Sequence, residues 1–293
     1  MNPQQYCQEK AAKSGSSFYY SFRFLPETQR HAIIALYAFC REVDDIVDEC
    51  NDVNIARTKL DWWRGEITST FAGRPNHPVS RALSEHINQL NLPEEYFKEI
   101  IDGMEMDLDY QSYPSFKELS LYCYRAASVV GLMSVEIFGY QDRRTLKYAH
   151  DLGIALQLTN IIRDVREDAQ RGRVYLPQDE LTQFGVNNED LQQGKSTENF
   201  RKLMKFQAER ARQYYQSAFR HLPDIDRYQQ RSGIIMAEIY LSTLNEIEAE
   251  GLQVLEQRTS LTPLRKLWIA WNIARKEKQR HKKQQANVAI TNN

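Results

Sequence analysis

The stretch that decides the fold occupies residues 157–168 and reads Gln157-Leu158-Thr159-Asn160-Ile161-Ile162-Arg163-Asp164-Val165-Arg166-Glu167-Asp168. Polar side chains recur in it every three or four residues, at Gln157, Asn160, Asp164 and Asp168. This spacing places them on one face of an α-helix, and Leu, Ile and Val residues supply apolar surface beside that face. A stripe of amides and carboxylates in so apolar a helix predicts a functional wall rather than a solvated surface.

A second stretch of the same kind lies nearer the N-terminus, at residues 37–49. Asp44 and Asp48 are four residues apart and share a helix face. Arg41 lies about one turn before Asp44, and Tyr37 lies one turn earlier still. The residues before them are strongly apolar, so a helix that buries those residues presents carboxylates at its end. Carboxylates at this spacing repel one another, and a divalent cation would reverse the sign of that interaction.

Two such stripes in one chain indicate a shared metal site. A lone pair of aspartates four residues apart is usually a solvated helix face, whereas two pairs, each beside an apolar run and an arginine, are rarely accidental. Oxygen ligands at this density suit Mg²⁺, which keeps water ligands and bridges substrate phosphates. Arg41 and Arg163 carry the forked guanidinium group that binds diphosphate oxygens. We therefore predict two metal-binding walls on opposite sides of one cavity.

Composition and charge limit the other classes of function. The 293 residues carry a net charge of −1, so the whole molecule has no nucleic-acid signature. The four cysteines form no metal-ligand or redox pair, which is typical of free thiols in a reducing cytoplasm. The N-terminus is polar and does not resemble a signal peptide, and no run of about 18 apolar residues predicts a membrane span. These features predict a cytoplasmic protein.

Helical periodicity recurs almost everywhere and strand signals are nearly absent, which predicts an all-α protein of about ten helices. The main helices are expected at about 26–50, 55–71, 78–89, 93–109, 115–139, 143–171, 197–221, 224–251 and 263–283. Residues 172–196 are expected to form a loop with short helical turns. No linker is long enough to separate two domains, so we predict one helical domain over residues 1–283 and a frayed polar tail at 284–293.

The two aspartate-bearing stretches closely resemble the two aspartate-rich motifs of the squalene/phytoene synthase family. Further motifs match at residues 16–20, 122–131 and 172–177, which read Ser-Ser-Phe-Tyr-Tyr, Tyr-Cys-Tyr-Arg-Ala-Ala-Ser-Val-Val-Gly and Gly-Arg-Val-Tyr-Leu-Pro. The resemblance covers roughly residues 6–276, nearly the whole chain. Within the family, residues 14–20, 61–64 and 101–107 are similar to bacterial presqualene diphosphate synthases of hopanoid pathways. One departure is Ala127-Ser128, where many members carry Ala-Gly, and it bears on cavity shape and product identity.

The resemblance implies a single-domain isoprenoid-synthase bundle around a central cavity, and it implies roles for particular residues. The positions of the family's metal ligands, which would hold two or three Mg²⁺ ions, correspond here to Asp44, Asp48, Asn160, Asp164 and Asp168. Its substrate-contacting positions correspond to Ser14, Ser17, Phe18, Tyr37, Arg41, Gln157, Arg163, Arg173, Tyr175 and Tyr240. The implied catalytic positions are Arg41, Asp44, Tyr124 and Asp164, with Tyr124 handling a proton. Asp45 and Glu167 are implied as supporting partners.

The reaction implied by the resemblance joins two molecules of farnesyl diphosphate head to head, giving presqualene diphosphate. Loss of one diphosphate yields an allylic cation, which the double bond of the second substrate attacks before proton loss closes a cyclopropane. An apolar, aromatic cavity is expected because the cation must be kept from water. NADPH is not expected, and partner enzymes downstream would complete squalene.

The predicted last helix is strongly basic. Residues 264–283 contain eight Lys and Arg residues and one acid, Glu277, with Trp268 and Trp271 nearby. This pattern fits a packed helix with a solvated basic end. It also fits loose attachment of the protein to an anionic membrane surface on its cytoplasmic side.

Several alternatives stay open. Phytoene, dehydrosqualene or squalene synthase activity would use the same fold with another substrate length or final product. A class I terpene cyclase would act on one substrate, but the second motif lacks the Ser or Thr metal ligand that is common in cyclases. A non-catalytic isoprenoid-binding protein would tolerate loss of the carboxylates, yet every expected metal ligand is present.

Overall fold

The computed structural model describes residues 2–13, 18–50 and 52–291, with side chains described as far as Asn287. These residues form no β-strand, and the predicted all-α class is confirmed. The helices are α1 Pro3–Lys13, α2 Phe18–Phe22, α3 Glu27–Glu49, α4 Val53–Phe71, α5 Pro78–Ile87, α6 Glu94–Asp109, α7 Phe116–Cys123, a π-helical turn Tyr124–Ser128, α8 Val129–Phe138, α9 Arg144–Gln170, α10 Gln178–Phe184, α11 Asn188–Gln192, α12 Glu198–His221, α13 Arg231–Ala249 and α14 Pro263–Thr291.

Local sequence signals set several helix ends. The Ser115 hydroxyl accepts a hydrogen bond from the backbone N–H of Lys117 and donates one to the Glu118 carboxylate, so a Ser-x-x-Glu cap opens α7 where the sequence predicts a helix start. The Thr197 hydroxyl accepts from the backbone of Phe200 and opens α12. Gly172 follows α9 with a φ of 79°, a left-handed conformation that ends the helix where the sequence predicts.

The helix predicted at 224–251 starts only at Arg231. The Asp226 carboxylate accepts hydrogen bonds from the backbone N–H groups of Gln141 and Asp142, at 2.7 and 3.0 Å. These bonds tie Asp226 to the turn between α8 and α9, and the chain before α13 forms turns instead of helix. This difference depends on a contact between distant segments, which helical periodicity does not report.

The two ends of the chain also differ from the predictions. Helix α14 continues to Thr291 instead of ending near Lys283, because no Gly or Pro interrupts the chain there and Gln and Ala favour a helix. Sequence periodicity does not predict α1, since only Cys7 and Ala11 of that helix are buried. The other side chains of α1 therefore give no apolar pattern.

Two hydrophobic clusters make up the core, and α9 belongs to the first of them. One cluster draws mainly on α9, α12 and α13, and contains Phe200, Tyr215 and Ile235. The other draws mainly on α3 to α6 and α8, and contains Phe39 and Phe97. The cavity described below is lined by residues of both clusters, so it lies between them.

Small residues let the backbone of α9 touch the π-helical turn. A Cβ atom at Gly153 would lie 2.4 Å from Cα of Ser128, so these two segments meet at backbone distance. The Ser128 hydroxyl then donates to the carbonyl of His150 at 2.7 Å. The Ser that replaces the family's Gly at this position therefore keeps the close approach and adds a hydrogen bond.

One segment, Phe116–Phe138, is long and apolar enough to cross a membrane by length and composition alone, with a mean hydropathy of 1.3. Half of its 18-residue apolar window is buried inside the protein, and the segment forms α7, the π-helical turn and α8. This central position accounts for the apolar character of the segment, because a core helix can match a membrane span in length and hydropathy.

Candidate active site

A cavity of about 610 Å³ lies between the two hydrophobic clusters. Its walls come mainly from α3, α6, α8, α9 and α13, and from the chain that precedes α14. The predicted residues of both aspartate stretches lie in this wall, namely Tyr37, Arg41, Asp44, Asp48, Gln157, Asn160, Arg163, Asp164 and Asp168. The C-terminal halves of α3 and α9 thus bring both stripes to the same end of one cavity, here called the carboxylate end.

The α3 side of the carboxylate end is a network of acids and arginines. Arg41 donates to the carboxylates of both Asp44 and Asp45. Asp48 accepts from Arg173 at 2.9 Å, so the segment after α9 already reaches α3. Burial in the cavity raises the pKa of Asp44 to about 6, although the neighbouring Arg41 guanidinium opposes this rise. The arginines therefore hold carboxylates that would otherwise repel one another.

The α9 side has one neutralised carboxylate and one without an ion pair. Asp164 accepts from Arg163 at 2.7 Å and from Arg258 at 2.8 Å. Burial raises the pKa of Asp164, but these two guanidinium groups outweigh it and hold the pKa below its usual value. Asp168 forms no salt bridge with any described residue. Burial, together with the charges of Asp164 and Asp107, raises the pKa of Asp168 to about 7.

These residues fit a divalent cation that is shared with a substrate. No group of three or more His, Cys, Asp or Glu side chains among the described residues forms a complete metal cluster by itself. Mg²⁺ commonly takes one or two carboxylates and completes its shell with water and substrate phosphates. Asn160 Oδ1 is buried without a hydrogen-bond partner among the described residues, and none of those residues forms a salt bridge with Asp168. Both are oxygen donors that a bound cation would satisfy.

The predicted substrate positions also converge on the cavity. Phe18, Tyr37 and Tyr240 form an aromatic cluster, with the Phe18 ring 5.8 Å from that of Tyr37 and 6.2 Å from that of Tyr240. Arg173 and Tyr175 line the carboxylate end. Ser14 and Ser17 fall outside the described residues. Asp45 and Glu167, predicted as supporting partners, do not line the cavity; Asp45 pairs with Arg41 and Lys10, and Glu167 with Arg258.

The proton-handling role of Tyr124 stays a prediction, and the structure adds a second tyrosine near it. Tyr124 is not among the residues that line the cavity, and its ring lies 5.9 Å from that of His150. Tyr122, two residues earlier, does line the cavity and donates to the Asp107 carboxylate at 3.1 Å. Side chains two apart on a helix point about 200° apart, so only one of these tyrosines faces the cavity.

The structure adds cavity residues that the sequence analysis did not assign. Asp107, at the end of α6, accepts from Tyr175 at 2.7 Å as well as from Tyr122, and burial raises its pKa to about 6. The spacing of Asp107 from Met104 and Ile100, at three and seven residues respectively, is a usable signal for a side chain on the buried face. Arg258 and Lys266 reach the cavity from the segment around the start of α14, where no local pattern marks them.

Comparisons with known proteins identify the family of this chain. A family model described as squalene/phytoene synthase matches residues 11–265. The chloroplastic phytoene synthase of an Oncidium hybrid cultivar is 39% identical over 269 residues, which make up 90% of this chain and 64% of that protein. Phytoene synthase 2 of Solanum lycopersicum is 38% identical over 267 residues, which cover 89% of this chain and 86% of that protein. The chain thus spans less than two thirds of the length of the Oncidium relative.

Solved structures share the fold. A dehydrosqualene synthase in complex with a ligand superposes with a TM-score of 0.86 at 29% identity, covering 94% of this chain and 97% of that one. The squalene synthase HpnC from Alicyclobacillus acidocaldarius gives a TM-score of 0.76 at 28% identity, covering 85% of this chain and 94% of that one. In both cases the similarity extends over most of the helical bundle.

Proposed function

We propose that this chain, which belongs to the squalene/phytoene synthase family, condenses two molecules of farnesyl diphosphate to presqualene diphosphate with release of one diphosphate. Members of this family are prenyltransferases, and the chain is assigned to that class of enzyme. The observation that carries the proposal is the meeting of the α3 and α9 carboxylate stripes, with their arginines, at one end of a cavity whose remaining wall is largely apolar. In this proposal the carboxylate end binds the diphosphate groups, and the apolar part of the cavity binds the prenyl chains.

We propose Mg²⁺ as the cofactor, held by Asp44, Asp48, Asn160, Asp164 and Asp168. When bound, it neutralises the charge that develops on the departing diphosphate. Arg41, Arg163 and Arg173 turn from their present carboxylate partners to the diphosphate oxygens, for which a forked guanidinium is well suited. The carboxylates that they release are then free to bind the cations.

The apolar part of the wall protects the carbocation. The rings of Phe18, Tyr37 and Tyr240 present faces that stabilise a desolvated cation by about 2 kcal/mol each. For the proton that is lost when the cyclopropane closes, we propose the pair formed by Tyr122 and Asp107. The Tyr122 oxygen accepts that proton while its own hydroxyl proton passes to the hydrogen-bonded Asp107 carboxylate, so the charge balances without a free phenolate.

The second candidate is a phytoene-type synthase that takes the 20-carbon substrate. It is favoured by the similarity to plant phytoene synthases at 38–39% identity. The motifs within residues 14–20, 61–64 and 101–107 favour the 15-carbon substrate instead. They also favour a reaction that stops at presqualene diphosphate and needs no NADPH. Both candidate reactions use the same carboxylate end, and they differ in the length of the prenyl chain that the cavity holds.

Product analysis separates these candidates. The purified protein is incubated with Mg²⁺ and either farnesyl or geranylgeranyl diphosphate, with and without NADPH, and the products are identified by mass spectrometry. We expect presqualene diphosphate from farnesyl diphosphate, in equal amount with and without NADPH. Phytoene as the main product, or squalene formed only with NADPH, would contradict the proposal, and no product at all would favour a non-catalytic prenyl-binding protein.

We further propose that α14 contacts the anionic cytoplasmic face of a membrane, close to the enzymes that consume the product. Leu264, Trp268 and Trp271 form one stripe along α14 and are 79%, 62% and 52% exposed. Arg275 continues the stripe with its guanidinium 5.4 Å from the Trp271 ring. Lys266, near the start of the same helix, lines the cavity, so the stripe begins beside the carboxylate end. Exposed indoles among basic side chains suit a lipid headgroup layer.

This membrane contact predicts sedimentation with anionic vesicles. The protein should bind phosphatidylglycerol vesicles and not neutral phosphatidylcholine vesicles. Removing residues from Arg275 onward should weaken binding about tenfold or more because each basic side chain near the surface contributes about 1 kcal/mol. Replacing Trp268 and Trp271 together by Ala should also weaken binding, because it removes the exposed indoles that contact the headgroup layer. The Trp268 and Trp271 replacement changes only exposed side chains and should fold normally, so it shows whether weaker binding of the truncated protein is due to misfolding. If both variants still bind the anionic vesicles, α14 does not have this role.

A further inference from the structure

One lysine joins helix α1 to the acids of α3. The Nζ atom of Lys10 lies 2.9 Å from Asp45 Oδ2 and 3.1 Å from Glu42 Oε1. The Tyr6 hydroxyl, one turn earlier on α1, donates to the same Glu42 oxygen at 2.8 Å. The side chains of Lys10, Asp45 and Glu42 are only 26%, 20% and 16% exposed, so water screens their charges less than at an open surface.

Asp45 connects this lysine to the carboxylate end of the cavity. Its Oδ1 atom accepts a hydrogen bond from Arg41, and the other terminal nitrogen of Arg41 donates to Asp44. Its Oδ2 atom faces Lys10. Arg41 and Asp44 line the cavity, whereas Asp45 and Lys10 do not. One carboxylate behind the cavity wall is therefore shared between the lysine of α1 and the guanidinium that we assign to diphosphate binding.

The charges of this network show how Lys10 affects the cavity. Asp45 has two ion-pair partners among the described residues, Arg41 and Lys10. If the charge of Lys10 were removed, Arg41 alone of these two would neutralise Asp45. The attraction between Asp45 and Arg41 would then be stronger, because no second positive charge would offset that of the carboxylate. Lys10 therefore makes it easier for the Arg41 guanidinium to leave Asp45.

We propose that Lys10 is a positioning residue that frees Arg41 to bind the diphosphate of the substrate, because Lys10 still neutralises Asp45 when Arg41 turns away from it. This inference rests on the proposed function, in which Arg41 moves from its carboxylate partners to diphosphate oxygens. It deepens that function by naming a residue outside the cavity that sets the strength of diphosphate binding. The effect of Lys10 reaches the substrate through Asp45 and Arg41.

Helix α1 has other attachments to the bundle besides Lys10. Cys7 and Ala11 of α1 are fully buried and belong to the hydrophobic cluster that draws mainly on α3 to α6 and α8. The Tyr6 ring packs edge-on against that of His77, with 5.6 Å between the ring centres. A variant that loses only the charge of Lys10 should therefore keep its fold, so a change in its diphosphate binding reports on electrostatics.

Lys10→Met tests the proposal because it removes the charge and keeps most of the side chain. We expect two constants to rise about tenfold, the KM for farnesyl diphosphate and the Kd for inorganic diphosphate with Mg²⁺, measured by isothermal titration calorimetry. The value of kcat should stay within about twofold of the parent, because the contact is weakened equally in the ground state and the transition state. Lys10→Arg should restore both constants, since it restores the positive charge.

Lys98→Met is the matched control. Lys98 pairs with Glu94 at 2.7 Å on α6, and neither residue lines the cavity. This variant loses a salt bridge of the same kind, and its KM and Kd should equal those of the parent protein. Thermal unfolding shows whether each variant is folded, and Lys10→Gln replaces Lys10→Met if the latter does not fold.

A double-mutant cycle decides whether Lys10 acts through Asp45. In an Asp45→Asn background, Lys10→Met should change the Kd for inorganic diphosphate by less than about twofold, because the carboxylate that it neutralises is gone. In a Glu42→Gln background, Lys10→Met should keep its effect of about tenfold. A tenfold effect that persists without Asp45, or one that disappears without Glu42, would overturn the proposal.

The proposed function and the role of Lys10 fail in different ways. If the parent protein does not convert farnesyl diphosphate but binds inorganic diphosphate, and Lys10→Met weakens that binding, the proposed function fails and the role of Lys10 stands. If the parent converts farnesyl diphosphate and Lys10→Met leaves KM and Kd unchanged, only the role of Lys10 fails. A parent protein that binds no diphosphate would overturn both.

Discussion

Replacing Asp44 or Asp164 by Asn should lower the turnover of farnesyl diphosphate about 100- to 1,000-fold, a loss typical of removing one electrostatic contact to a developing charge. The two residues stand on opposite walls of the carboxylate end, one on α3 and the other on α9. An amide is a weaker ligand for Mg²⁺ than a carboxylate and leaves the substrate's charge less well neutralised. Diphosphate release measured at saturating Mg²⁺ checks the expectation, and circular dichroism should show unchanged helical content.

The two variants should differ in stability although they share the loss of turnover. The pKa of Asp44 lies above its usual value because of burial, so its charged form disfavours the folded protein above about pH 6. Asp44→Asn should then keep or raise the melting temperature at pH 8. The pKa of Asp164 lies below its usual value, since Arg163 and Arg258 outweigh burial, and this favours folding above the carboxyl's unfolded pKa. Asp164→Asn should lower the melting temperature at pH 8, and this difference should shrink as the pH falls towards 3.

Asp151→Asn provides the matched control on the same helix. Asp151 accepts a hydrogen bond from Ser217 at 2.7 Å and lies outside the cavity wall, and an Asn side chain can still accept that bond. Its turnover should stay close to that of the parent protein. Near-normal turnover in Asp44→Asn or Asp164→Asn would refute the metal role of that wall.

The next largest effect is expected at Tyr122. Tyr122→Phe should lower turnover about 100-fold or more, which is the contribution typical of a positioned acid–base group. The variant removes the hydroxyl that reaches from the cavity wall to Asp107 and leaves that carboxylate its bond from Tyr175. The fold should therefore persist while the proposed proton path is cut. Single-turnover kinetics with mass spectrometry should show that farnesyl diphosphate still loses its diphosphate. Presqualene diphosphate should not accumulate.

Tyr124→Phe is the comparison that decides between the two tyrosines. Tyr124 lies outside the cavity wall, next to His150, so its hydroxyl should be dispensable for turnover. Full activity in Tyr124→Phe and a large loss in Tyr122→Phe is the expected pair of results. The reverse pair would return the proton-handling role to Tyr124 and remove it from Tyr122.

The tyrosine pair also shows where sequence reasoning reaches its limit. Tyr122 and Tyr124 are the same residue type, two positions apart on the same helical segment. Their opposite directions follow from helix geometry, but the side on which the cavity lies depends on how α7 packs against the rest of the bundle. Local sequence carries no information about that side.

The same distinction applies to the acids and bases of the site. Asp44, Asp48, Asp164 and Asp168 were predictable because each pair repeats with the helical period beside an apolar run. Asp107 had a weaker signal, a single acid on the buried stripe of α6. Arg258 had none, since it lies in an irregular segment and meets Asp164 from a position 94 residues further along the chain.

The sequence by itself determined that the chain is helical and that two of its helices each end in a carboxylate stripe, because periodicity and spacing act over a few turns. It also carried the motifs by which the family could be predicted. Only the tertiary structure decided that both stripes face one cavity and that Tyr122 and Asp107 belong to its wall. These features depend on contacts between segments far apart in the chain, and such contacts are settled by the packing of the whole bundle.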